Sequence, residues 1–155
     1  MATGGVLGNG CKVGFSANSP VSWTAVGQVL NVELPTLEAD DVDITVHGTS
    51  RFKRSMAGMI EVSELTLELL ADTDPATSAA HHTLWVYNQS GTTIWWRVEV
   101  PTDRNQSEYT PFEFQGLVKS WQLAAPIDDR QSLTVVVKFD GTSYSKYDPG
   151  SSAIS

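Results

Sequence analysis

Apolar and polar residues alternate with a period of two along most of this chain. Val42, Ile44 and Val46 alternate with Asp43, Thr45 and His47, and Ile94, Trp96, Val98 and Val100 alternate with Trp95, Arg97 and Glu99. Successive side chains of a strand point to opposite faces, so these segments are expected to be half-buried β-strands. The same period recurs in Leu65, Leu67 and Leu69 against Glu64, Thr66 and Glu68, and in Leu30, Val32 and Leu34. It recurs again in Phe112 and Phe114 and in Leu133, Val135, Val137 and Phe139. Gly116 interrupts it after Phe114, where a bulge is expected. So many short alternating segments predict a mainly β fold, a β-sandwich or barrel.

One segment follows a different period. Ala76, Ala80, Leu84 and Tyr87 recur every three or four residues, which predicts one flanking α-helix from about Pro75 to Asn88. Asp74 suits its N-cap, Pro75 the first helical position, and Gly91 a left-handed residue after its end. Between the Val42 and Leu65 strands, the stretch from Gly48 to Gly58 has no clear period and reads as a long loop, a kind of segment that usually has a task. Small and polar residues at both ends suggest a flexible arm over about 1–10 and a mobile tail over about 142–155. With 155 residues and no internal repeat, the chain reads as a single domain, 1–155.

Composition narrows the function. Hydrophobic residues make up 41% and charged residues 18%, so the chain is expected to fold, and no apolar run approaches the roughly 18 residues that cross a bilayer. Met1 to Gly8 lacks the basic and apolar regions of a secretory signal. A single cysteine, Cys11, allows no intrachain disulfide and fits a reducing compartment. A net charge of -8 argues against binding a nucleic-acid backbone, which relies on Lys and Arg displacing counterions.

Candidate chemistry is sparse. His81 and His82 are adjacent on the predicted helix and diverge by about 100°, so they do not make the i, i+4 pair that grips a metal. One is expected under the sheet and the other in solvent. Glu38, Asp40, Asp41 and Asp43 lack the ligand spacing and turn glycine of a calcium loop. No serine sits in a nucleophile elbow, and the reading is a protein that is not an enzyme, with no catalytic residue, metal or cofactor. Arg51, Lys53 and Arg54 bracket Phe52 in the only basic cluster. They read as a docking loop for an acidic surface on a neighbouring copy, with Glu38, Asp40 and Asp41 as the acidic docking partner. Among Trp23, Trp85, Trp95, Trp96 and Trp121, Trp95 and Trp96 point to opposite faces. One is core; the other marks an interface or a sugar platform, which leaves a carbohydrate-binding module as the alternative.

The order of these features resembles the tail tube proteins of long non-contractile-tailed bacteriophages, the lambda major tail protein group. A Gly-rich arm precedes Trp23 to Pro35, which looks like that group's strand of a tryptophan, spaced valines and a proline. Asp43-Ile44-Thr45 and the loop ending at Gly58 stand where the group has an Asp-x-Thr strand and its inter-ring loop. A strand from Ile60 to Leu70, an Asp-rich turn and the helix with His82 and Leu84 follow. Ile94 to Pro101 with Asp103, Phe112 to Val118, and Leu133 to Phe139 with Asp140-Gly141 look like the closing strands. The layout covers nearly the whole chain and lacks the additional C-terminal immunoglobulin-like domain of some members.

The resemblance implies a tail-tube-like subunit of the virion that forms stacked hexameric rings around a tape measure protein and later conducts DNA without binding it specifically. Tail terminator and tail-tip proteins would be its other partners, with no membrane involved and assembly in the host cytoplasm. The tube of a contractile tail or of a secretion system shares the architecture. An acidic lumen would repel DNA and let it slide, and Asp43, Thr45, Glu61, Glu64, Thr66 and Glu68 are the expected lumen-facing residues.

Overall fold

The alternating segments form nine strands in the computed structural model, which describes residues 10–17, 20, 22–27, 29–44, 52–71, 79–102 and 107–154. In chain order they are β1 (Lys12–Ser16), β2 (Thr24–Ala25), β3 (Val29–Glu33), β4 (Leu37–Asp43), β5 (Ser55–Val62), β6 (Glu64–Leu70), helix α1 (Ala79–Ser90), β7 (Thr93–Pro101), β8 (Tyr109–Ala124) and β9 (Ser132–Lys146). Seven of the strands make one antiparallel sheet in the order β2-β1-β7-β8-β9-β6-β3, and β4 and β5 make a separate hairpin. β2 and β3 are the two edges of the large sheet, yet only residues 26–28 separate them in the chain. Four residue steps span at most about 14 Å. The sheet must therefore curl until its edges approach, which makes the sandwich-like β fold that the alternation implies.

The core lies inside this curl. Leu65, Leu67 and Leu69 of β6, Leu133, Val135 and Val137 of β9, Ile94, Trp96 and Val98 of β7, Phe114 of β8 and Val13 and Phe15 of β1 are all buried. Trp96 is the core member of its pair, and its indole N–H donates to Gly116 O at 3.2 Å. The ladder shifts register between Phe114 and Gly116, as the break in alternation foretells.

α1 closes one opening of the curled sheet. His81 and Leu84 are buried, while His82 and Trp85 are exposed. The His81 ring meets Gly27 O at 2.9 Å, and Asn88 Nδ2 donates to Val118 O and Lys119 O, both at 3.2 Å. Phe15 and Tyr87 pack edge to face, with ring centroids 6.0 Å apart. The helix ends at Ser90, followed by Gly91 at φ 68°, whose N–H bonds to Tyr87 O at 2.9 Å. Asp74 and Pro75 lie outside the described residues.

Three sequence expectations are revised. The Gly48 to Gly58 loop is shorter than its lack of period suggests, because Ser55 already starts β5; a bulge opposite Ala39 to Asp41 breaks the alternation that would betray a strand. Val42 and Ile44 are not half-buried but exposed, and their strand belongs to a two-stranded hairpin apart from the large sheet. The tail expected from about 142 is instead strand up to Lys146 and then a docked segment in which Ile154 is 3% exposed. Ile154 pairs with Trp23 and fills the space over Gly14, where a Cβ would lie 3.1 Å from Ile154 Cγ1. The expected arm over about 1–10 lies outside the described residues up to Asn9.

Candidate assembly site

The β4–β5 hairpin is a separate ladder that continues the register of β3 and β6. Glu33 pairs with Thr66 at the end of the β3·β6 ladder and Leu37 with Val62 at the start of the β4·β5 ladder. Between them Ser63 N–H donates to Thr36 O at 3.0 Å and Thr36 N–H to Ser63 Oγ at 2.6 Å, so one register runs through both ladders. The seven exposed residues of β4 give the hairpin a length of about 23 Å. More than half of the exposed large apolar side chains among the described residues sit on this arm, with Met59 82%, Phe52 79% and Ile60 66% exposed. Exposed apolar surface of that kind makes the arm the candidate interaction site.

Charge and apolar character trade places along the arm. Near its base, Leu37 and Ala39 pair with Val62 and Ile60 on one face, while Glu38 stands opposite Glu61 on the other. Beyond the bulge Val42 pairs with Met56, and Asp41 and Asp43 with Ala57 and Ser55. Since β4 alternates, Leu37 and Ala39 share a face with Asp41 and Asp43, and Glu38 and Asp40 share one with Val42. Each face is therefore apolar over one half and acidic over the other. Like charges directly opposite across a ladder destabilise it, and Glu38 and Glu61 stand in that arrangement.

The structure brings the two expected docking groups onto this one arm. Glu38, Asp40 and Asp41 are exposed along β4, and Phe52, Lys53 and Arg54 are exposed at its far end, where Ile44 N–H donates to Arg54 O at 2.9 Å. Arg51 lies outside the described residues. The expected lumen residues divide. Glu64, Thr66 and Glu68 line the side of β6 opposite its buried leucines, whereas Asp43 and Glu61 belong to the arm and Thr45 lies outside the described residues. Around Glu64, Thr66 and Glu68 extends a four-strand polar face. Asn31, Glu68, Thr134 and Gln122 form one cross-strand row; Glu33, Thr66, Val136 and Ser120 form the next. This face is mixed in sign, since Glu64 pairs with Lys138 in the ladder and bonds to Lys119 through its side chain.

A second polar cluster lies beneath the docked C-terminal segment. Glu99 is fully buried, and its Oε1 accepts from Ile154 N–H and Ser152 Oγ, both at 3.1 Å, with Arg97 Nε at 3.6 Å. Arg97 Nη1 also donates to Glu113 Oε2 at 2.8 Å. Burial pushes the Glu113 carboxyl above its ordinary 4.5; Arg97 opposes the rise and the Glu99 charge adds to it. These groups tie the C-terminal segment to β7. Burial also raises the Cys11 thiol, which keeps it protonated. No group of three or more metal-binding side chains occurs among the described residues.

The aromatic question resolves by burial. Trp96 is core and Trp95 is partly buried; the exposed tryptophan is Trp85, on α1, stacked on His82 with ring centroids 6.2 Å apart. The strand expected from Ile60 to Leu70 is two, divided at Ser63, so sequence reasoning caught only the end of β5, whose bulge hides its period, and it had no reason to single out Ile127, a lone apolar residue in a turn.

This combination of a curled antiparallel sheet, one closing helix and a projecting hairpin is a tail-tube-like fold. A comparison with protein-family models finds no match, and one with curated proteins finds none either. Solved structures do match. A chain in the cryo-EM structure of the anti-feeding prophage baseplate, 6-fold symmetrised, is 14% identical with a TM-score of 0.67, covering 95% of this chain and 97% of that one. One in the virion of a native gene transfer agent particle is 11% identical with a TM-score of 0.68, covering 93% and 100%. A third, from the SPP1 tail tube, is 10% identical with a TM-score of 0.62, covering 92% of this chain and 78% of that one. At such identities the likeness is one of fold.

Proposed function

We propose that this chain is a structural virion protein, the repeating subunit of a phage tail tube: copies close into hexameric rings, and the rings stack into a hollow tube through which DNA passes. The observation that carries the reading is the arm, a ladder that leaves the sheet in unbroken register and exposes apolar and like-charged residues. Such a surface is costly on a lone monomer and is satisfied by contact with the next copy. The shared fold supports it, because one matching structure is of a tail tube and another is 6-fold symmetrised. The layout of the sequence favours a non-contractile tail, with a tape measure protein inside, terminator and tip proteins at the ends, and assembly in the host cytoplasm. The function asked of the chain is mechanical, and no enzymatic step is assigned to it.

The polar face with Glu64, Thr66 and Glu68 lines the lumen in this reading, with Glu61 at the base of the arm beside it and Asp43 towards the arm's far end. Carboxylates there keep DNA phosphates from adhering. Negative-stain microscopy of the concentrated protein tests the assembly, with rings and hollow tubes as the expected outcome. Charge reversal tests the lumen: Glu64→Lys with Glu68→Lys is expected to leave tubes intact and slow DNA ejection from phage particles. An unchanged ejection rate would remove both residues from the channel.

A further inference from the structure

We infer that the arm of one subunit is received by the β8–β9 turn of the next, residues 125–131, where Ile127 meets Phe52 and the carboxylates of Asp128 and Asp129 meet Lys53 and Arg54. The inference rests on the tube reading and names the partner surface that the reading leaves open. Its first support is topological. β6 and β9 pair from Glu64↔Lys138 to Leu70↔Ser132, so the arm, which joins β6 at Glu64, and the turn, which joins β9 at Ser132, lie at opposite ends of the same ladder. A head-to-tail contact needs two different patches at opposite ends of a subunit, and an open stack follows when each end meets the other's mate.

The second support is chemical. The far end of the β8–β9 hairpin extends beyond its neighbour β7, since β7 pairs with β8 only as far as Leu117 while β8 continues to Ala124. On the other side β6 accompanies β9 as far as Ser132 and Ala71 N–H donates to Gln131 O at 3.1 Å, so the turn stands at the very end of that ladder. Ile127 is 100% exposed, and Leu123 and Pro126 beside it are exposed as well. Asp128 and Asp129 follow directly, with Asp129 Oδ1 accepting from Arg130 N–H at 2.7 Å and Arg130 the single cation of the turn. At the other end of the molecule, Phe52 is 79% exposed beside Lys53 and Arg54. An apolar tip beside two carboxylates and an apolar tip beside two cations are complementary in both respects, which sets register as well as attraction. The acidic residues of the arm itself share a pole with the cations, so they suit contacts between arms side by side.

The critical concentration for tube formation, read by pelleting and microscopy, tests this pairing. Ile127→Asp and the pair Asp128→Lys with Asp129→Lys are each expected to raise it about tenfold or more. Adding Lys53→Glu with Arg54→Glu to the second variant is expected to bring it back towards the wild-type value. All the altered residues are exposed, and melting curves matching wild type establish that the fold survives. If wild-type protein makes tubes and these variants make them equally well, the assigned partner surface is wrong and the tube reading stands. Impaired assembly of the Asp128 and Asp129 variant that the arm reversal does not rescue also overturns the pairing. If wild-type protein forms no polymer at any concentration, alone or on isolated tail tips, the tube reading falls and the inference with it.

Discussion

At Gly116 the absence of a side chain decides how two strands approach. A Cβ there would lie 2.7 Å from Lys138 O and 3.0 Å from Val137 Cγ1, and the first of these is backbone that cannot rotate away. Gly116→Ala is therefore expected to cost about 1–3 kcal/mol in urea unfolding. Gly27→Ala, with nothing within 4 Å of the added atom, serves as the control and is expected to be neutral or slightly stabilising. Glu113 makes a different prediction. Its carboxyl is raised above 4.5 in the folded chain, chiefly by burial, so the native state holds the proton more tightly than the unfolded state does. Its contribution is full below the ordinary carboxylate value and is lost as pH rises through the raised one. The stability of wild type relative to Glu113→Gln should fall as pH rises above the ordinary carboxylate value of 4.5. A difference that stays flat above that value would show that Arg97 holds the carboxyl at its ordinary value.

Elements differ in how plainly the sequence announces them. β6, β7 and β9 are legible because one face of each is buried, so selection for the core writes an alternating pattern into them. The helix is legible from its spacing and from Gly91 at its end. β5 is not, because neither face is buried and a bulge removes its period. β1, five residues with the pattern Lys-Val-Gly-Phe-Ser, is too short to stand out from its flanks. The arm makes the element-scale prediction. Thr36 and Ser63 already bond to one another, so replacing 37–62 by an Asn-Gly turn should close the β3·β6 ladder without disturbing the core. The shortened chain is expected to melt cooperatively near the wild-type temperature and to form no tubes. Loss of folding instead would mean that the arm is part of the core's cooperative unit.

At the scale of the whole molecule, a net charge of -8 opposes the crowding of copies into a ring. The proposed contact offsets this locally with two cations against two carboxylates, too few to govern the total. Raising salt from about 0.01 M to about 0.15 M shortens the screening length from about 30 Å to about 8 Å. Tube yield is expected to rise over that range. A fall would show that attraction between oppositely charged patches outweighs the shared repulsion.

Local patterns by themselves determined that this chain is mainly β with one helix, that the alternating apolar residues of β6, β7 and β9 enter the core, and that its charge is unsuited to gripping nucleic acid. Those properties are written in short windows, because strand and helix periods bury or expose each side chain according to its immediate neighbours. Only the tertiary structure decided that the Val42 strand leaves the body as an arm and that Glu38 faces Glu61 across its ladder. It alone decided that Ile154 folds back over Gly14 and Glu99. The same holds for the arm and the β8–β9 turn standing at opposite poles. Each of these depends on which distant segments pair and in what direction, and the free energy of that choice is summed over the entire sheet, beyond the reach of any single stretch of sequence.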